Sequence, residues 1–144
     1  MDFLSVQTVF KAEFDEERHV LMHGGASALT PGVKQRTADP YQGVVLNSFR
    51  QEKKNGWRMT TGGTLLGITM RTWTPMKVTL QACEDFSGVK TVDSAGKAVR
   101  QKPGARTVQK FVVIKTKGAW RIKDGYATIV DSFQSAPCNG TWYS

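Results

Sequence analysis

The chain has 144 residues, with 20 Lys/Arg against 12 Asp/Glu and a formal net charge of +8 at pH 7. That length supports one hydrophobic core rather than two, and 40% hydrophobic with 22% charged residues excludes a disordered or collagen-like chain. The longest apolar runs, such as Phe111-Val112-Val113-Ile114, fall far short of the roughly 20 residues that a membrane-spanning helix needs.

The first predicted element is helical. Val6, Val9, Phe10, Phe14 and Leu21 fall near i, i+3, i+4 spacing, while Lys11, Glu13, Asp15, Glu16 and Arg18 are read as its polar side. Gly24-Gly25 stops it, and residues 24–37 read as a loop. A second helix opens at Asp39-Pro40, with Asp39 as cap, Pro40 at the first helical position and Gln42 as capping-box partner. Tyr41, Val44, Val45 and Phe49 form its buried stripe, and Asn55-Gly56 ends it.

Everything after Gly56 reads as strand: segments 57–61, 64–74, 76–86, 107–117 and 119–130, with turns at Gly62-Gly63, Thr74-Pro75 and Lys117-Gly118. Residues 87–106 read as a short hairpin, Val89 to Val92 turning at Ser94-Ala95-Gly96, followed by a basic loop. The expected fold class is therefore α+β, with two N-terminal helices packed on a curved antiparallel sheet of about five or six strands. One domain spans 1–144: a helical part to residue 56, a sheet over 57–138 and a tail over 139–144.

Cys83 ends the third strand and Cys138 follows the last. Two cysteines so placed suit a disulfide closing a loop of about 56 residues, worth about 4 kcal/mol by chain entropy. A nucleophilic Cys83 is disfavoured because Glu84 and Asp85 beside it would raise a thiol pKa. Two cysteines and two distant histidines also match no structural zinc spacing.

Ala38-Asp39-Pro40-Tyr41, Ala82-Cys83-Glu84-Asp85, Val92-Asp93-Ser94-Ala95-Gly96-Lys97, Lys117-Gly118-Ala119-Trp120-Arg121-Ile122 and the late Cys138 together resemble extracytoplasmic lipoproteins of actinobacteria and their phages. Those proteins are similar to the nuclear-transport-factor-like, or cystatin-like, cone fold. The resemblance implies an extracytoplasmic, membrane-anchored precursor with its leader ahead of Asp2. Met1-Asp2-Phe3 itself has no basic start or long apolar stretch of a signal peptide.

The resemblance also implies a cone that binds an envelope protein or a small apolar ligand, with phage superinfection exclusion as one possible role. Phe10, Phe14, Tyr41, Phe49, Met70 and Trp73 are the candidate pocket residues, with no cofactor, no metal and no catalytic residue assigned. A cyclase- or isomerase-type enzyme and a scaffold of a conjugation or secretion channel are the alternatives. A buried His or Asp beside an apolar cavity would favour the enzyme, and a filled cone with an exposed apolar sheet face the scaffold.

Four other features have blander readings beside functional ones. His19 and His23, with Asp15 one turn earlier, could form an acid–base pair or half a metal site, but two histidines near a helix C-terminus are expected to be exposed. Asp124 and Asp131 are possible pocket acids. Trp57, Trp73, Trp120 and Trp142 read first as core packing, with stacking on nucleic acid disfavoured for want of a recognition motif. The basic excess lies in the second half: +2 over residues 1–72, +6 over 73–144. Lys97, Arg100, Lys102 and Arg106 are expected to give weak contact with anionic surfaces, and the sheet to give a possible homodimer contact.

Overall fold

A computed structural model describes residues 3–99, 104–129 and Cys138, with backbone alone for 126–129. Three helices come first: α1 (Phe3–Met22), α2 (Pro31–Arg36) and α3 (Tyr41–Asn55). Six strands follow: β1 (Arg58–Thr61), β2 (Thr64–Thr74), β3 (Lys77–Asp85), β4 (Lys90–Val92), β5 (Arg106–Thr116) and β6 (Ala119–Ile129). Strands β2-β3-β5-β6 form one antiparallel sheet in that order, and β1 pairs with β4 in a separate two-stranded ribbon. Register shifts on β2, between Leu65 and Gly67 and between Met70 and Thr72, are irregularities of the kind that bend strands. The result is the expected α+β class, a curved sheet with helices against it.

The expected pair of helices is three, because residues 24–37 contain α2. Thr30 caps it by accepting the Val33 amide at 3.3 Å, and Pro31 occupies the first turn, where its missing N–H costs nothing. Val33 is its one buried residue, so no amphipathic period marks this helix in the sequence. Asp39 does accept the Gly43 amide, at 3.0 Å, but Pro40 stands at the cap position of α3 rather than inside the helix. Gln42 closes no capping box. Its Nε2 donates to Thr37 O at 3.2 Å and Thr37 Oγ1 at 3.1 Å, tying the end of α2 to the start of α3. Gly56 ends α3 with φ 66°, a left-handed conformation that glycine adopts without a Cβ clash.

Two apolar clusters result. In the first, Val6 and Phe10 of α1 lie against Ile68, Leu80, Phe111, Val113 and Ile122 of the sheet, and Phe10 meets Phe111 edge-on at 4.7 Å. In the second, Val20, Val33, Val45 and Phe49 join the three helices to one another. Burial of each such side chain contributes about 1.5–3 kcal/mol. Val44, expected in the buried stripe, is 64% exposed. Tyr41, Val45 and Phe49 at four-residue spacing define the inner face, and Val44 falls beside it.

Asp93 holds the turn expected at Ser94-Ala95-Gly96: its Oδ1 accepts the Ala95 and Lys97 amides, both at 2.9 Å. The chief partner of β4, however, is the distant β1. Cys83 and Cys138 are disulfide-bonded, with Cα atoms 5.1 Å apart. Arg100, Lys102, Asp131, Trp142 and the expected tail over 139–144 lie outside the described residues.

Candidate functional site

A cleft of about 240 Å³ opens between α1, α3 and the inner face of the sheet. Phe10, Phe14, Tyr41, Met59, Phe86 and Phe111 supply its apolar walls, and Glu13, Glu17, Glu84 and Gln109 line it as well. Tyr41 stands edge-on to Phe111 at 6.0 Å, and Phe14 lies 6.4 Å from Phe86.

The backbone dictates that the acids face inward. Val6, Phe10, Glu13 and Val20 are the buried residues of α1, and Glu17 falls on the same face by i, i+4 spacing from Glu13. On β3, Val78, Leu80, Ala82 and Glu84 are buried at every second position, so Glu84 continues the core face of the strand. Glu13 is 1% and Glu84 4% exposed.

Each carboxyl has a different environment. Arg36 of α2 donates through Nε to Glu13 Oε1 at 3.1 Å and through an NH2 group to Glu16 Oε1 at 2.6 Å, while Thr30 donates to the other Glu16 oxygen. Thus the short helix missed in the sequence brings the cation to the buried acid. Tyr41 OH donates to Glu17 Oε2 at 2.8 Å, and Gln109 Nε2 to Glu84 Oε2 at 3.2 Å. Glu13 Oε2 is buried with no N–H or hydroxyl donor. The Glu17 carboxyl is within hydrogen-bonding reach of Glu13, so the two carboxyls share a proton.

The proton affinities follow. Burial, then the hydrogen bond and charge of Glu13, push Glu17 well above the usual carboxyl range. Burial also raises Glu13, with the bonds to Glu17 and Arg36 working against it. Glu84 is pushed up to about 7 by burial. Burial and the adjacent Glu17 raise the Tyr41 hydroxyl well above its ordinary value, so Tyr41 acts as a donor. One wall therefore carries a proton-sharing pair, Glu13–Glu17, and another a carboxyl that both gives and takes protons near neutrality.

Of the residues expected to line a pocket, Phe10, Phe14 and Tyr41 line this cleft. Phe49 is packed in the helical cluster and Met70 in the sheet core, and neither is in the lining of this cleft. Trp73 is 55% exposed. It pairs with Val78 across β2–β3 but lies beyond the end of the core, against the Phe3 ring at 5.3 Å. Trp120 is buried in the core.

His19 on α1 and His23 just beyond its end are exposed, their rings tilted at 4.1 Å with His23 Nδ1 2.7 Å from His19 O. Asp15 pairs with Arg18 at 3.2 Å instead of a histidine. Asp124 lies on β6 opposite Val112, outside the cleft lining. Arg106 is not part of a basic loop: it begins β5 and pairs with Asp85 at 3.5 Å, while Lys97 lies exposed in the Asp93 turn. Among the described residues no three His, Cys, Asp or Glu side chains are placed to hold a metal ion, and no helix is long and apolar enough to cross a membrane.

Glu13, Glu17 and Glu84 are the cleft residues that sequence reasoning missed, along with Arg36, which pairs with Glu13. The signal was present as the in-phase positions 6-10-13-17-20 and 78-80-82-84.

No protein-family model matches the chain, and no curated protein matches it in sequence. Among solved structures it is similar to the intermembrane space region of the chloroplast protein ARC6, at 12% identity over 90% of this chain and 98% of that one, with a TM-score of 0.59. It is also similar to a protein from Novosphingobium aromaticivorans provisionally assigned as an aromatic ring hydroxylase, at 13% identity over 88% and 93% of the two chains, TM-score 0.53. An uncharacterized protein with a cystatin-like fold from Caulobacter vibrioides superposes at 18% identity over 88% of each chain, TM-score 0.48. At such identities the first two likenesses concern the fold alone: helices against a curved antiparallel sheet, a cone with one open end.

Proposed function

We propose that this chain is an extracytoplasmic binding domain whose cone takes a small, largely apolar ligand, and that its natural precursor is membrane-anchored in the manner of the lipoproteins it resembles. The observation that carries the reading is the cleft, an aromatic-walled space of about 240 Å³ with buried carboxyls in its lining. Apolar walls with a few convergent polar groups are the usual make-up of a ligand site. The Cys83–Cys138 disulfide supports an oxidising compartment. The cleft supports this reading over a channel scaffold, for which a filled cone is expected.

Titration with 2-phenylethanol, followed by protein NMR, tests the reading. Saturable shifts are expected at Phe14, Tyr41, Phe86 and Phe111. Shifts confined to the exposed Trp73 and Met76, or none that saturate, would contradict it.

A second reading, a proton-transfer enzyme in the same cleft, is favoured by one observation. Glu84, held at about 7 by burial, has the proton affinity of a general base working near neutrality. Exchange of solvent deuterium into an enolisable cyclic ketone, abolished by Glu84→Gln, would select it.

A further inference from the structure

We propose that the cleft is built for an organic ammonium ion, a protonated primary amine on an aromatic or aliphatic body. The inference rests on the reading of the cleft as a ligand site and names the ligand's polar chemistry.

The argument is one of unmatched acceptors. The side-chain donors Tyr41, Gln109 and Arg18 in the lining, and Arg36 behind it, are engaged within the protein. Tyr41 OH bonds Glu17, Gln109 Nε2 bonds Glu84, and Arg36 bonds Glu13 and Glu16. Arg18 bonds Gly63 O at 3.2 Å and Asp15. What remains is an acceptor: Glu13 Oε2, on a side chain 1% exposed, has no N–H or hydroxyl partner. A ligand that fits must therefore bring N–H or O–H donors, and a neutral carbonyl or an anion would meet carboxyl oxygens.

Charge points the same way. Glu13 and Glu17 of α1 and Glu84 of β3 line the space, against Arg18 of α1, with Tyr41 of α3 among them; Arg36 of α2 reaches Glu13 and Glu16 from behind the lining. Arg36 answers Glu13 and Glu16, and Arg18 is turned to Asp15. Glu17 and Glu84 are left without a cation, and burial without one is what keeps their protons on. An ammonium head group would replace those protons, donate to up to three carboxyl oxygens, and set its body against the faces of Phe14, Phe86 and Phe111.

Calorimetry on the intact, oxidised protein at pH 7.5 compares 2-phenylethylamine with 2-phenylethanol, 3-phenylpropanoate and the trimethylammonium analogue of the amine. The amine is expected to bind at least about tenfold more tightly than the alcohol, as a charge-assisted hydrogen bond does against a neutral one. The propanoate should not bind, and the quaternary analogue should be weaker than the primary amine. Affinity for the amine should rise from pH 6 to pH 8 as the proton leaves Glu84, with proton release detected as a heat that depends on the buffer. Glu84→Gln, its folding checked by thermal unfolding, should narrow the ratio of amine to alcohol affinity.

Equal or tighter binding of the alcohol overturns the ammonium inference and leaves the ligand site standing. A quaternary analogue as tight as the primary amine overturns the donor argument. No saturable binding by amine or alcohol overturns both this inference and the reading beneath it.

Discussion

Replacing Cys83 and Cys138 together by alanine is expected to lower stability by about 4 kcal/mol, the chain-entropy value for a loop of this size. The bond spans 55 positions. It ties the segment after β6 to β3, the strand that carries Glu84. A domain of this length has a total stability of about 5–15 kcal/mol, so the loss removes a large share. Denaturant unfolding of the oxidised protein, of the dithiothreitol-reduced protein and of the double variant measures it, and the last two should agree. Denatured, unreduced protein should show essentially no free thiol. A loss under about 1 kcal/mol, or two reactive thiols, would contradict this account of the fold.

Glu84→Gln is expected to stabilise the protein at alkaline pH, a direction opposite to that of most substitutions at a buried position. The folded state holds the Glu84 proton up to about pH 7, against an ordinary value of 4.5. Below about 4.5 the carboxyl is protonated both folded and unfolded and contributes nothing to the pH dependence. Between the two values the folded protein binds more protons than the unfolded chain, so stability falls as pH rises, and above 7 the whole cost is present. The gap corresponds to about 3 kcal/mol. Glutamine has the same shape and no charge to bury, and its carbonyl can still accept from Gln109. The variant should match the wild type near pH 5 and exceed it by about 2–3 kcal/mol at pH 8. Equal stability at both pH values would mean that Glu84 is solvated. A carboxyl retained at that cost fits a site whose function outweighs stability.

Most of the architecture was legible because local signals and burial agree. Gly56 ended α3 as predicted, the alternation of β3 gave its inner face, and the turn at Lys117-Gly118 placed β5 and β6. Two physical reasons account for the misses. Helix α2 has one buried residue in six, so its formation depends on the Thr30 cap and on Arg36 reaching Glu13 and Glu16, contacts between elements that no local pattern encodes. Glu13 was assigned to the solvent side of α1 because it is charged, although its spacing from Val6 and Phe10 lies on the core face. Periodicity was the better guide there: a buried carboxyl is tolerable where a guanidinium or a shared proton answers it.

Met70 stands apart from the cleft lining for a related reason. Strand alternation makes it an inner-face residue, but whether an inner-face residue meets a cleft or a packed helix depends on where α1 lies. Met70 shares a buried cluster with Val6 and Phe10, whereas the cleft lining includes Glu84.

The most direct test of the central claim, that this cone holds a cleft lined by buried carboxyls, is a carbon-13 NMR titration of the glutamate side-chain carboxyls in the oxidised wild type from pH 3 to 9. The account predicts that Glu84 titrates near pH 7 and that Glu17 keeps its proton well above the ordinary range, with Glu16 below it because the bonds from Thr30 and Arg36 outweigh its burial. Titration of Glu13, Glu17 and Glu84 together between about 4 and 5, as in model peptides, would contradict it.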